Sequence, residues 1–448
     1  MDFLLLEFLK NIWFIIQIGL ILSSGLVEYY ILGESYQNIV KNIAENLVDI
    51  NILYVKLFQA IALNNNYIDE ETNQVLLKYT DKAPYSEFDV DWVQLINCMY
   101  DFHITSDDLV PINSGMISVV FKCIKDGKPI ILKVKRRDIE RKLSDGLKRV
   151  KFCINLLSLI HPFGFSEISY VINKNMDVIK QQTNFYNEIS NMKLFKEKCK
   201  YLNYVKIPDV YESVTGEYSN IIAMEFIEGK KFVDISCDEE SEKYARLIVK
   251  FGLATILNFG VAHGDLHSGN IIFIKNSTEK MDELEVPEYQ IGIIDLGIIA
   301  ILDNDTKNNL IDIFSNIGHE THEKTANKFI KYLISPKNLL DKLDETDKSY
   351  IINLISNVVK MIHENKRANQ NMIYNSCKMM NEYFSNNKFL KDLRICLTDE
   401  FVRLQLYLAM CHGVTLDLCK DKYVEITQDV LDNMFQKNLM RTLLSMEE

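Results

Sequence analysis

The feature that most constrains this chain is a short polar loop, His263-Gly264-Asp265-Leu266-His267-Ser268-Gly269-Asn270, preceding an apolar run. A second apolar run ends at Ile294-Asp295-Leu296-Gly297. An aspartate, an asparagine five residues later and a further aspartate at a strand end offer hard oxygen donors. Mg²⁺ takes such donors near-octahedrally and completes its shell with phosphates and water. Asp265 is placed to orient a hydroxyl or a water. Asn270 can offer its carbonyl oxygen to the metal, and Asp295 its carboxylate. A turn-rich loop met by chance is the bland alternative, and order, spacing and strand context together speak against it.

The spacing Asp-x-x-x-x-Asn with a later Asp-x-Gly is that of kinase catalytic and metal loops. Phosphoryl transfer asks for positioned charge rather than covalent help, so few residues suffice. A second signal lies upstream, in Ile131-Leu132-Lys133-Val134. A lysine among β-formers on an inner strand is costly unless its charge is paired. Glu188 is the expected partner, on a helix that carries Asn191 three residues later. Alone, a strand lysine is as often an edge gatekeeper. Upstream of Asp265 and Asp295, the catalytic reading prevails.

Around that lysine the pattern is β-rich. Ile117 to Cys123 and Pro129 to Val134 flank Asp126-Gly127, a strong hairpin signal. Pro111 to Ser118 sits where a kinase places its phosphate-covering loop, although Gly115 is its only glycine. Ser114 and Gly115 are its candidate nucleotide contacts. Ser219 to Phe226 reads as a strand leading into Met224-Glu225-Phe226-Ile227-Glu228-Gly229, where Glu225 and Ile227 would hold adenine through their backbone. Val27 to Leu63, Ile139 to Phe195 and Glu239 to Gly260 keep helical spacing, and Asn276 to Pro287 reads as an exposed hairpin loop. The fold class is α+β, a two-lobed kinase-like fold with a helical N-terminal extension and a helical insertion in the N-lobe. The expected divisions are 1–107, 108–228 with inserted helices at about 139–182, and 229–448.

These residues together resemble the UbiB/ADCK family of atypical protein-kinase-like ATPases. His263, Asp265, His267, Gly269 and Asn270 fit that family's H-x-D-x-H-x-G-N loop. Asp295 fits its D-F-G, with Leu296 in place of Phe. Lys133 and Glu188 fit its ion pair, and Asn191 its E-x-x-N. Lys56-Leu57-Phe58-Gln59 resembles the family's K-x-G-Q, with Phe58 in place of glycine. Lys56 and Gln59 share a helix face and join the expected nucleotide-binding set. The Ala-rich loop of the family is here Asn113 to Ser118. The resemblance implies ATP and Mg²⁺ as ligands, with catalytic residues Asp265, Lys133 and Glu188 and metal residues Asn270 and Asp295. It further implies ATP hydrolysis linked to lipid or isoprenoid-quinone metabolism, with a lipid or isoprenoid small molecule as partner.

Two rival functions stay open: a small-molecule phosphotransferase of the aminoglycoside or choline kinase type, and a nucleotide-gated non-catalytic scaffold. A net charge of −12 over 448 residues argues against nucleic acid as a partner. Nine scattered cysteines without a C-x-x-C pair read as reduced thiols in a cytosol-like compartment. The N-terminus carries the features of neither a secretory signal nor a transit peptide. Residues 11–27 are apolar, yet Glu7, Lys10, Gln17, Ser24 and Glu28 recur as a polar stripe, so a docked helix is favoured over a membrane contact. His319 and His322 lack a third ligand and read as a solvated helix face.

Overall fold

The computed structural model describes residues 2–51, 53–54, 83–160, 181–284, 286–316, 320–363, 371–384, 395–419 and 422–436. Its strands begin with β1 Ile104–Thr105, β2 Pro111–Ser114, β3 Ser118–Lys125, β4 Lys128–Lys135, β5 Val205–Lys206 and β6 Ile221–Glu225. They continue with β7 Val261–His263, β8 Ile271–Lys275, β9 Tyr289–Ile293, β10 Ile299–Ile301, β11 Ile334–Ser335 and β12 Cys396–Leu397. The chain divides into two compact units, Met1–Met192 with Pro208–Phe226, and Lys193–Ile207 with Ile227–Glu448. The α+β kinase-like class holds.

The first unit is built on an antiparallel sheet in the order β1-β3-β4-β6, with β2 also paired to β3. Asp126 and Gly127 turn between β3 and β4 with φ of 52° and 74°. Positive φ at both positions gives a turn whose twist matches that of the strands it joins. Register then sets Lys133 between Val120 on β3 and Ile222 on β6. One sheet face, with Val119, Phe121, Ile130, Leu132 and Ala223, packs on Leu95 and Cys98 of a helix, Trp92–Asp101.

Further toward the N-terminus lie α1 at Asp2–Tyr30 and α2 at Tyr36–Ile50. The consecutive helices expected from Val27 onward are divided at residues 31–35, where Gly33 takes φ of 69°. Ser35 then restarts the helix by accepting the Asn38 N–H. Ile39, Val40, Ala44 and Leu47 form the buried stripe of α2. Val40, Ala44 and Leu47 join a core with Phe14 of α1 and Ile139, Leu143 and Leu147 of the helix Ile139–Ile160. Each buried Val, Leu, Ile or Phe side chain among them contributes about 1.5–3 kcal/mol. Part of the α1 polar stripe turns toward α2, for the Glu28 carboxylate accepts from Ser24 and from Asn42. Docking accounts for one face only, since Leu9, Trp13, Leu20 and Leu26 are exposed. Lys56 and Gln59 lie outside the described residues, as do residues 161–180 of the expected insertion.

In the second unit β5, β9 and β8 form a sheet in which every residue of β9 is buried, and β7 pairs with β10. The helix Asp238–Leu257 opens with Asp238, Glu239 and Glu240 and then runs buried from Leu247 to Leu257, with Leu253 half-buried. Acidic side chains suit that end of the helix dipole. Gly252 allows a close helix crossing, since a Cβ there would lie 2.8 Å from Cys411 Sγ on Asp399–Leu418. Asn276 to Pro287 connects the antiparallel strands β8 and β9, as a hairpin loop should. It holds a short helix, Thr278–Leu284, opened by Ser277, whose hydroxyl accepts the Lys280 N–H, and closed at its base by Asn276 bonding to Pro287 and Gln290. Helices account for most of the remainder, and Leu404 is core, as its apolar run implies. His322 opens the helix His322–Leu333, and His319 lies outside the described residues.

Candidate active site

On the first unit, Lys133 lies in the buried stretch of β4, Ile130 to Val134. Its Nζ donates to Glu188 Oε1 at 2.6 Å, with side-chain exposures of 9% and 2% for the two residues. A helix, Phe185–Cys199, brings Glu188 there. Asn184 shapes its entry: its Oδ1 accepts from Tyr186 and its carbonyl from Asn187. Phe185 and Ile189 then pack on Ile222 of β6, which fixes the helix on the sheet. The Lys133 ammonium also sits 5.9 Å from the centre of the Phe185 ring. Asn191 lies one turn beyond Glu188 on the same side of the helix. So the pair inferred from a lone strand lysine is formed across 55 residues of sequence.

The turn after β2 is tied from within. The Gly115 N–H donates to the Ser118 carbonyl, while the Ser114 hydroxyl and the Gly115 carbonyl both accept from Arg136. Ser114, expected among the nucleotide contacts, is thus turned inward and buried. The N–H of Glu225, at the end of β6, donates to the Asp209 carbonyl, and the Glu225 carboxylate accepts the Asp209 N–H. The boundary of the unit falls directly after Phe226. Ile227, on the second unit, is buried against Gly292, where a Cβ would stand 2.9 Å from its Cγ2.

On the second unit, two strand ends bring the loop residues together. Asn270 directly precedes β8, Asp295 lies two residues beyond the end of β9, and Ile271 is paired with Ile293. The Ile294 N–H continues the ladder to the Asn270 carbonyl at 3.1 Å. His263 ties the two loops further. Its Nδ1 accepts the Asp265 N–H at 3.0 Å, so Nε2 carries the hydrogen and donates to the Asp295 carbonyl at 2.6 Å. Burial holds the imidazole below its usual pKa range, against the pull of the Asp295 and Asp265 carboxylates. A neutral ring suits this double duty.

Asn270 Nδ2 donates to the Asp265 carbonyl at 2.8 Å and lies 3.0 Å from His267 Nε2. A carbonyl can only accept, which assigns the amide nitrogen to that side and leaves Oδ1 as the atom that would serve a cation. Asp295 Oδ1 accepts the Gly297 N–H at 2.9 Å, which orients the carboxylate, and Leu296 is fully buried between them. One carboxylate and one amide oxygen are a donor set that Mg²⁺ shares with substrate phosphates. Among the described residues no cluster of three or more His, Cys, Asp and Glu offers a protein-only metal cage. The residues present fit a phosphate-bound Mg²⁺.

Gly264 is a position that spacing arguments passed over. A Cβ there would stand 2.3 Å from Ile298 Cγ2 and 3.1 Å from the Ile298 carbonyl, which already accepts the Gly264 N–H. Gly264→Ala is therefore expected to destabilise by about 1–3 kcal/mol and to displace the neighbouring His263 and Asp265. A melting temperature within error of the parent would refute this account of the turn.

A family model described as the ABC1 atypical kinase-like domain matches residues 91–329. An uncharacterized protein in the hydrogenase 1 5′ region of Clostridium pasteurianum is 24% identical over 305 residues, 66% of this chain and 54% of that one. The chloroplastic protein ACTIVITY OF BC1 COMPLEX KINASE 1 of Arabidopsis thaliana is 23% identical over 309 residues, 67% of this chain and 41% of that one. A probable protein kinase UbiB of Shewanella piezotolerans is 22% identical over 289 residues, 62% and 51% of the two chains. The chain spans about half the length of the curated relatives it matches. The matched segment is more than half of the chain and contains the Lys133–Glu188 pair, the Asp265 loop and Asp295, so this chain belongs to the ABC1 atypical kinase-like family, the family of UbiB.

Proposed function

We propose that this chain binds and hydrolyses ATP with Mg²⁺, as an atypical kinase acting in lipid or isoprenoid-quinone metabolism. The observation that carries the reading is the linkage of Asp265, Asn270 and Asp295 through His263 and the β8–β9 ladder. Asp265 orients the attacking hydroxyl or water. Asn270 and Asp295 would hold Mg²⁺, which when bound neutralises charge on the phosphates. On the other unit Lys133, oriented by Glu188, pairs with nucleotide phosphates, and the turn at Gly115 and the Glu225 backbone serve as further nucleotide contacts, as does the Ile227 backbone of the second unit. Lys56 and Gln59 belong to the same proposal by family resemblance.

A lipid-linked role draws support from α1. The stretch Glu7–Tyr30 is long and apolar enough to cross a membrane, and only 11% of its most apolar window is buried. With Phe14 docked and Trp13 and Leu20 exposed, a peripheral contact at the cytoplasmic face of a membrane fits this surface.

The test is ADP production by the purified chain. Slow, Mg²⁺-dependent turnover is expected, abolished by Asp265→Asn, with no phosphate passed to generic peptides. Absence of turnover in the parent protein would refute the hydrolysis. Stoichiometric transfer to choline or an aminoglycoside would establish the small-molecule phosphotransferase instead.

A further inference from the structure

Arg136 directly follows β4, three residues after Lys133, and is 7% exposed. Its guanidinium meets five acceptors. Nε donates to the Gly115 carbonyl at 2.9 Å, and Nη2 to Ser114 Oγ at 2.7 Å, to the Pro84 carbonyl at 2.9 Å and to the Ala83 carbonyl at 3.4 Å. Nη1 donates to Asp89 Oδ2 at 2.9 Å, while Lys142 bonds the other Asp89 oxygen at 3.0 Å. The main chain adds to the knot, for the Arg136 N–H donates to the Ile117 carbonyl and the Ala83 N–H to the Ser114 carbonyl. A buried arginine with its charge neutralised and its nitrogens engaged has a single orientation available.

That orientation is useful because the turn after β2 contains one glycine and no acidic or basic residue of its own. Left alone, a three-residue turn of Gly115, Met116 and Ile117 could sample several conformations. Arg136 fixes it to the strand that bears Lys133 and, through Asp89, to the segment just before the sheet. We infer that Arg136 is a positioning residue, which holds the Gly115 turn in register with Lys133 so that the turn can meet nucleotide phosphate. The inference rests on the proposed nucleotide reading for its consequence, though not for the tether itself.

Two measurements on the full chain separate these parts. In nucleotide-free protein, Arg136→Met should speed amide exchange at Gly115 and Ala83, whose N–H groups are bonded within this knot, by at least about tenfold, through the loss of several hydrogen bonds. With MgATP, the same variant should raise KM by about tenfold while kcat changes much less, as expected when ground-state binding is lost. Arg136→Lys keeps the charge but cannot fork to Gly115, Ser114 and Asp89, so it should recover thermal stability without recovering KM. Ser114→Ala, which removes one of these bonds, should shift exchange and KM in the same direction by less, and it decides the matter if Arg136→Met does not fold. Unchanged exchange at Gly115 overturns the tether, whatever the enzyme does with ATP. Altered exchange with an unchanged KM overturns the positioning role. A parent chain without ATP turnover overturns the proposed function, and exchange alone then judges the tether.

Discussion

Lys133→Met is expected to abolish ATP turnover, by roughly 100-fold or more, because it deletes the one buried cation on the inner strand of the sheet. It should also destabilise the first unit. Glu188 is 2% exposed, and removing its lysine leaves a carboxylate with a partner lost in a low-dielectric site. Breaking such a pair costs about 3–5 kcal/mol, which is a large share of the stability of a domain. The double variant Lys133→Met/Glu188→Gln tests the cause, since it removes both charges while keeping a polar group on the helix. It should regain much of the stability and none of the turnover. A single variant with parental activity would reduce Lys133 to a structural lysine. A double variant no more stable than the single would show that charge burial is not what the pair resolves.

Asp295→Asn is expected to erase most of the Mg²⁺-dependent thermal shift given by ADP or ATP. At a hundred times its dissociation constant, a ligand stabilises by about 2.7 kcal/mol, or several degrees of melting temperature in a domain of this size. The substitution is well suited to the question. Asparagine still offers an oxygen to the Gly297 N–H, and the Asp295 carbonyl that receives His263 is backbone and stays in place. The loop should therefore hold while the metal-binding charge is gone. Retention of the full Mg-nucleotide shift would refute the metal assignment. A lowered melting temperature without ligand would indicate that the carboxylate supports the fold as well.

The local parts of this molecule were legible because they depend on near neighbours. The hairpin at Asp126-Gly127 follows from two residues that tolerate positive φ between apolar runs. The strands around Asp295 and the loop at Asp265 announce themselves by the same means, an apolar run closed by a polar turn. Periodicity also located the helix Asp238–Leu257 to within a few residues. It did less well where capping competes with composition. Ser277 starts a helix inside the segment that reads as a hairpin loop, and apolar spacing did not set the point, near Gly33, at which the consecutive helices from Val27 divide.

By itself the sequence determined the order of strands and helices, the kinase-like spacing of Asp265, Asn270 and Asp295, and the need of Lys133 for an acid. Only the tertiary structure decided how those needs are met. Glu188 reaches Lys133 across 55 residues because Phe185 and Ile189 seat its helix on the sheet. His263 reaches the Asp295 carbonyl across 32 residues, and Arg136 gathers Ala83, Pro84, Asp89, Ser114 and Gly115 around one guanidinium. Periodicity reports which face of an element is buried, whereas a hydrogen bond between distant residues depends on packing that brings donor and acceptor within about 3 Å.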